Sequence, residues 1–162
     1  MLSTNTDNIK TNDIPNCKSL KFGIIVTEWN FEITNELYIE TKNCLLKHKT
    51  VNENIIKFEV PGCFEIPYLI KKISKKSYYN FDAIITLGCI IKGDTPHFNL
   101  ISNSVTNEIL KLSTESKIPI IFGILTVNNF KQAKERSSAK KFNKGKEFAI
   151  SAIKMATIKN NL

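Results

Sequence analysis

Apolar runs alternate with amphipathic stretches along most of the chain. Four of the runs are short and rich in β-branched residues, which is typical of strands. The run that begins at Ala83 is continuous through Leu87 and breaks after Ile91, as expected for a parallel strand that is buried on both faces. The four predicted strands cover residues 20–27, 54–60, 83–91 and 118–127.

A helical pattern of apolar residues follows each predicted strand. The predicted helices cover residues 33–45, 66–73, 96–112, 129–136 and 143–158. Thr95 is predicted to be the N-cap and Pro96 the first residue of the third helix, which places His97 in the first helical turn. Strands that alternate with helices predict a three-layer α/β sandwich, in which helices flank both faces of a small, mainly parallel four-stranded sheet.

The length of 162 residues and the hydrophobic content of 42% fit one globular domain with a sizeable core. We assign residues 19–162 to this single α/β domain and residues 1–18 to a polar N-terminal tail. The tail lacks the apolar segment of a secretory signal and the Arg-rich amphipathic pattern of a transit peptide. No run is long enough to span a membrane, so the sequence predicts a cytoplasmic protein without a membrane partner.

The chain is basic, with a formal net charge of +8 and a pI near 9.3. This charge permits a nucleic acid or an anionic metabolite as partner. The lysines are scattered through the predicted helices and are not interleaved with aromatic residues, so no nucleic-acid partner is predicted. Cys17, Cys44, Cys63 and Cys89 lie far apart without a C-x-x-C pair, which predicts reduced thiols and neither a metal site nor a disulfide framework.

Chemically useful residues follow the predicted strands, whose carboxyl ends meet at one edge of a parallel sheet. Trp29 follows the first strand, and its indole could stack on a heteroaromatic ring or pack against the protein. After the second strand, Gly62 precedes a helix start that could hydrogen-bond a ligand or form an ordinary tight turn. Residues 92–96 link the third strand to a helix, whose unpaired N–H groups favour a phosphate.

His97 and Arg136 are candidates for chemistry at this edge. An imidazole beside an anion site can exchange protons near neutral pH, although a lone histidine is more often structural. A guanidinium can grip a phosphate with two hydrogen bonds, yet the basic run that contains Arg136 could equally be a solvated face. His48 is assigned no role, and the sequence contains neither a P-loop nor a G-x-G-x-x-G motif.

Several motifs together resemble those of the 6,7-dimethyl-8-ribityllumazine synthases, which catalyse the penultimate step of riboflavin biosynthesis. The matching segments, in the family's order and spacing, are residues 60–67, 87–98, 119–126, 132–136 and 143–145. The resemblance covers roughly residues 20–155 and implies a flavodoxin-like fold. It also implies a transferase that condenses 5-amino-6-(D-ribitylamino)uracil with 3,4-dihydroxy-2-butanone 4-phosphate, with no cofactor and no metal.

The resemblance implies contacts to the pyrimidine substrate on three sides. Trp29 takes the place of the aromatic residue that stacks on the pyrimidine ring, and Phe122 matches a residue that an adjacent subunit contributes. Main-chain groups are expected to hold the uracil edge and the ribityl chain, and they belong to Cys63, Phe64, Glu65, Cys89, Ile90 and Ile91.

The resemblance also implies a phosphate subsite and a proton relay. Asp94 and Thr95 match the pair that binds the phosphate of the four-carbon substrate, and Arg136 matches its cationic clamp. His97 matches the proton donor and acceptor. Two departures from the family pattern are Lys92, where arginine is common, and residues 137–142, which replace a glycine-rich connection.

The family's assembly implies a homopentamer, with a sixty-subunit icosahedral shell and an association with riboflavin synthase as further expectations. A short connection between the last two predicted helices favours the shell, whereas the lost glycines and the positive charge oppose it. A non-catalytic shell or carrier protein of the same fold is the alternative function. The presence of both His97 and Arg136 argues for the enzyme.

Overall fold

The computed structural model describes residues 16–161, so the predicted tail lies almost wholly outside the described residues. The strands are β1 (Phe22–Thr27), β2 (Ile55–Val60), β3 (Ala83–Ile91) and β4 (Ile120–Val127). The α-helices are α1 (Phe31–Lys47), α2 (Ile66–Ile73), α3 (His97–Glu115), α4 (Phe130–Ser137) and α5 (Lys144–Asn160). No helix among residues 16–161 is both long enough and apolar enough to cross a membrane.

The four strands form one parallel sheet in the order β2-β1-β3-β4. β1 and β3 are therefore the central strands, and each is covered on both faces. The pairing of β1 with β3 ends at Val26 opposite Leu87, whereas β3 continues beside β4 as far as Ile91 opposite Val127. The carboxyl end of β3 thus extends past its β1 partner.

Helices cover both faces of the sheet, which confirms the predicted three-layer α/β sandwich. Side chains from α1, α4 and α5 pack with alternate β3 residues such as Ile85 and Leu87 on one face. Side chains from α2 and α3 pack with Ile84 and with residues of β4 on the other face. This division follows from the period of two along a strand, because successive side chains point to opposite faces.

Helix α4 is held against α1 by polar contacts. The Lys134 ammonium lies 2.6 Å from the Glu32 carboxylate, and the Ser137 hydroxyl donates to Glu36 over 3.0 Å. Exposed ion pairs contribute little to stability individually. The fully buried Ser137 nevertheless fixes the end of α4 and so the position of Arg136 one residue earlier.

Several predicted boundaries differ from the observed ones by one to three residues. β1 and β4 each begin two residues later than predicted, at Phe22 and Ile120. Thr95 does not cap α3, because the carbonyl of Pro96 already accepts the N–H groups of Asn99 and Leu100, over 3.0 and 3.3 Å. Pro96 therefore occupies the N-cap position, and the helix begins at His97.

Candidate functional site

A cavity of about 500 Å³ opens at the carboxyl ends of β1, β2 and β3 and at the start of α3. This volume lies within the usual range for small-molecule sites, and the sheet edge is where open α/β folds bind ligands. Predicted site residues that line the cavity are Trp29, Cys63, Phe64, Glu65, Cys89, Ile90, Ile91, Thr95 and His97. Other residues that line it are Thr27, Asn30, Gly93, Phe98 and Ile101.

The Trp29 side chain is held at the mouth of the cavity mainly through its backbone. Its N–H donates to the carbonyl of Pro61 over 3.1 Å, which extends the contact between β1 and β2 beyond the strand ends. The indole lies against Gly62, where an added Cβ would be 3.1 Å from the ring atom Cε3. Because 69% of the residue is exposed, the ring has surface available for stacking.

The turn between β2 and α2 is stabilised by its own carboxylate. The Glu65 side chain accepts a hydrogen bond from the N–H of Gly62 over 2.9 Å, and the residues between them form a 3₁₀ turn. Pro67 then lies in the first turn of α2, where its missing N–H costs no helical hydrogen bond. The Glu65 carboxylate is thus engaged with the protein backbone at the cavity wall.

The end of β3 directs main-chain groups towards the cavity. Ile84 and Lys92 donate their N–H groups to carbonyls at the two ends of β4. The main-chain N–H and C=O groups of even-numbered β3 residues therefore point towards β4. The alternation along a strand then places the main-chain groups of Cys89 and Ile91 on the β1 side. Since pairing with β1 has ended at Leu87, these groups lie at the cavity wall.

The two cysteines of the site are neutral thiols. Burial raises the pKa of Cys63 to about 12 and the pKa of Cys89 to about 12. A thiolate is the nucleophilic form of cysteine, so neither side chain is activated near neutral pH. Their contribution is packing: the Cys63 sulfur occupies the space beside Gly88, where an added Cβ would lie only 2.6 Å from Sγ.

The loop after β3 supplies the polar side of the cavity. Gly93, Thr95 and His97 line it, and His97 is the exposed first residue of α3. Because the Pro96 carbonyl takes the N–H groups of Asn99 and Leu100, the N–H groups of His97 and Phe98 are the donors that the start of α3 can offer to an anion. Within residues 16–161, no three His, Cys, Asp or Glu side chains form a cluster that could hold a metal ion.

Three predicted residues of the described chain, Asp94, Phe122 and Arg136, do not line the cavity. Asp94 lies in the loop between two lining residues and is exposed. Phe122 lies on β4, and 37% of the residue is exposed. Arg136 lies on α4, where its guanidinium is 5.8 Å from the centre of the Phe142 ring. The chain alone therefore places Asp94 beside the cavity but does not bring Phe122 and Arg136 to it.

Sequence reasoning assigned no role to five residues that line the cavity. Asn30 follows Trp29 directly after the first predicted strand, and this position could have indicated that it lines the site. Phe98 and Ile101 were interpreted only as part of an apolar helical stripe. Gly93 was included only as part of the predicted phosphate loop at residues 92–96, and Thr27 carried no signal of its own.

The fold and the cavity together define a flavodoxin-like α/β protein with a candidate small-molecule site at the carboxyl edge of its sheet. Residues 19–160 match the family model for 6,7-dimethyl-8-ribityllumazine synthase. The chain belongs to this family of transferases, which acts in riboflavin biosynthesis.

Individual relatives agree with the family match over nearly the whole chain. A 6,7-dimethyl-8-ribityllumazine synthase from Christiangramia forsetii is 43% identical over 93% of this chain and 89% of its own length. The synthase from Phocaeicola vulgatus is 40% identical over 93% of this chain and 89% of its own length. The synthase from Flavobacterium johnsoniae is 44% identical over 91% of this chain and 77% of its own length.

The contact between Cys63 and Gly88 generates a prediction about stability. Gly88→Ala should lower the free energy of unfolding by about 1–3 kcal/mol, because the new methyl group overlaps the Cys63 sulfur. Adding Cys63→Ala removes that sulfur and should recover much of the loss. Urea denaturation of the wild type, both single variants and the double variant measures the coupling between the two positions.

Gly93→Ala is the matched control for this cycle, because an added Cβ there meets nothing within 4 Å. Its unfolding free energy should stay within about 0.5 kcal/mol of the wild type. If the losses of unfolding free energy in the two single variants simply add up in the double variant, the proposed overlap is contradicted.

Proposed function

We propose that the protein condenses 5-amino-6-(D-ribitylamino)uracil with 3,4-dihydroxy-2-butanone 4-phosphate to give 6,7-dimethyl-8-ribityllumazine, phosphate and water. The observation that carries this proposal is the single cavity in which an exposed indole, two main-chain walls and a histidine at a helix start face one another. Family membership supplies the reaction, and the cavity supplies groups that suit both substrates.

The pyrimidine substrate is assigned to the side of the cavity formed by Trp29. An indole that is largely exposed can stack on the flat uracil ring. The main-chain walls at residues 63–65 and 89–91 offer N–H and C=O groups to the uracil edge and the ribityl hydroxyls. Backbone groups on a packed sheet edge are held rigidly, so they orient the substrate at little entropic cost.

The phosphorylated substrate is assigned to the start of α3. Thr95 and the N–H groups of His97 and Phe98 suit a phosphate, and the Arg136 guanidinium is the proposed cationic clamp. Asp94 precedes Thr95 in the same loop, and we assign its main chain, not its carboxylate, to the phosphate. Because Phe122 and Arg136 lie outside the cavity of their own chain, a neighbouring subunit is proposed to bring them to it.

The proposed chemistry depends on position more than on reactive side chains. The nucleophile is an amine of the pyrimidine substrate, which forms an imine with the ketone and releases water. Elimination then expels phosphate, and ring closure with loss of a second water gives the product. Holding both reactants in register supplies most of the acceleration, while His97 takes and returns protons and the phosphate subsite stabilises the leaving group.

A turnover assay with the two named substrates tests the proposed function directly. Formation of the lumazine can be followed by its absorbance, and wild-type protein should show saturable turnover. A folded protein that binds both substrates without turnover would instead favour the alternative, a non-catalytic shell or carrier protein of the same fold.

The first functional prediction concerns His97. His97→Ala should lower kcat by about a hundredfold or somewhat less, with smaller changes in both Michaelis constants, because the lost group acts on protons. His48→Ala is the matched control, since His48 lies beside α1 and α5 in a separate cavity. Its turnover should equal that of the wild type. An unchanged kcat for His97→Ala at saturating substrates would refute the proton relay.

A second prediction separates the two substrates. Arg136→Ala should raise the Michaelis constant of the phosphorylated substrate by about tenfold to a hundredfold, because a charge-assisted hydrogen bond is lost. Trp29→Ala should raise that of the pyrimidine by about threefold to tenfold through lost stacking. Lys131→Ala, which removes an exposed cation from the same helix as Arg136, is the matched control. Equal effects of Arg136→Ala and Trp29→Ala on both constants would show that the assignments are wrong.

A third prediction concerns assembly. If Phe122 completes a neighbour's cavity, active protein should scatter light at near-physiological salt as a species of pentamer mass or larger, and a fully active monomer would contradict the shared site. Co-refolding His97→Ala with Phe122→Ala should also restore part of the activity, because some cavities then contain both native side chains. Each variant refolded alone is the control.

A further inference from the structure

Asn30 lines the cavity, yet the proposed chemistry gives it no part. At this residue the chain leaves β1 and enters α1 with φ 58° and ψ 42°, a left-handed conformation that asparagine tolerates better than most side chains. Its carbonyl accepts the N–H groups of Ile33 and Thr34, over 2.9 and 3.1 Å, and so begins the helix. The backbone of Asn30 thus has a structural task, which leaves the role of its amide side chain to be explained.

The amide of Asn30 crosses to the neighbouring strand. Its Nδ2 donates to the carbonyl of Cys89 over 2.9 Å, although the two residues are 59 positions apart in the sequence. This carbonyl lies beyond the last β1–β3 pair at Leu87. The Asn30 side chain therefore supplies the hydrogen bond that a longer β1 would have supplied through its backbone.

Trp29 lies between two such connections. Its own N–H is bonded to Pro61, next to β2, and the following residue is bonded to Cys89 on β3. The ring lies against Gly62, and most of the residue is exposed. These two hydrogen bonds restrain the backbone on either side of Trp29 and so limit where the ring stands relative to the β3 wall.

We infer that Asn30 is a positioning residue for the pyrimidine substrate. Its amide ties the backbone beside Trp29 to the carbonyl of Cys89 and so sets the separation between the indole, on which the flat ring stacks, and the end of β3, which bonds the edge of that ring. The identity of the substrate rests on the proposed function, whereas the connection between the two walls does not. The Asn30 amide is bonded to the protein backbone and has no proton transfer in the proposed reaction, so its loss should affect binding of the pyrimidine more than the chemical step.

Two variants remove the connection in different ways. Asn30→Gly keeps the left-handed backbone and deletes the amide, and Asn30→Asp keeps the size and replaces the donor with an acceptor. Each should raise the Michaelis constant of the pyrimidine by about threefold to tenfold, the range expected for one hydrogen bond. The value of kcat and the Michaelis constant of the phosphorylated substrate should change by less than about twofold.

A spectroscopic measurement tests the connection without substrate. Trp29 is the only tryptophan in the chain, so tryptophan fluorescence reports on the cavity wall alone. Both Asn30 variants should show lower fluorescence anisotropy and faster quenching by acrylamide than the wild type. Asn80→Gly is the matched control, because Asn80 is also left-handed with φ 45° but does not line the cavity. It should leave anisotropy, quenching and both Michaelis constants unchanged.

The outcomes separate this inference from the proposed function. Wild-type anisotropy together with a wild-type Michaelis constant in both Asn30 variants would overturn the positioning role. Wild-type protein that never turns over the named substrates would refute the proposed function, while the fluorescence of the same variants would still decide the connection. If circular dichroism shows that one variant does not fold, the other gives the same two measurements.

Discussion

The site depends on one mismatch in the sheet: β1 stops pairing with β3 at Leu87, while β3 continues to Ile91. In a parallel sheet of equal strands, the groups of Cys89 and Ile91 would be consumed by the neighbouring strand. Here the chain turns away into α1, and a cavity opens where the strand is missing. As a result, the main chain at the carboxyl end of β3 forms one wall of the cavity.

Small residues keep the walls of this cavity close together. The Cys63 sulfur fits beside Gly88 only because the glycine has no side chain, and the Trp29 ring approaches Gly62 for the same reason. Burial keeps the thiols neutral, so these contacts add no charge to an apolar wall. The cavity therefore combines closely packed walls with an exposed indole and an exposed imidazole that are available to a ligand.

Two predicted site residues lie on elements away from the cavity. Phe122 belongs to a strand of the sheet, and Arg136 belongs to a helix that is anchored to α1 through Lys134 and Ser137. Neither element needs to move for the proposed reaction if a neighbouring subunit presents both residues to the cavity. Such an arrangement makes assembly a condition of activity, since the cavity of an isolated chain would lack the residues that a neighbour is proposed to contribute to both substrates.

Much of the architecture could be predicted from the sequence because the signals for it are local. The apolar run from Ala83 and the helical spacing after His97 gave the order and type of the elements. Alternating strands and helices then require a parallel sheet, whose carboxyl ends share one edge. Residues at the strand ends, such as Trp29 and Glu65, were therefore recognisable as candidates, and the motifs identified the family before the fold was known.

What the sequence could not determine depends on distances between segments that are far apart in the chain. The hydrogen bond from Asn30 to Cys89 exists only because β1 and β3 are neighbours and β3 extends past the end of β1. The fit of Cys63 beside Gly88 likewise depends on how closely the β2–α2 turn approaches β3. The separation of Arg136 from the cavity was equally invisible, because a motif gives the type of a residue but not the chain whose cavity it reaches. Periodicity fixes which face a side chain occupies, whereas strand register and the approach of packed backbones decide what it meets there.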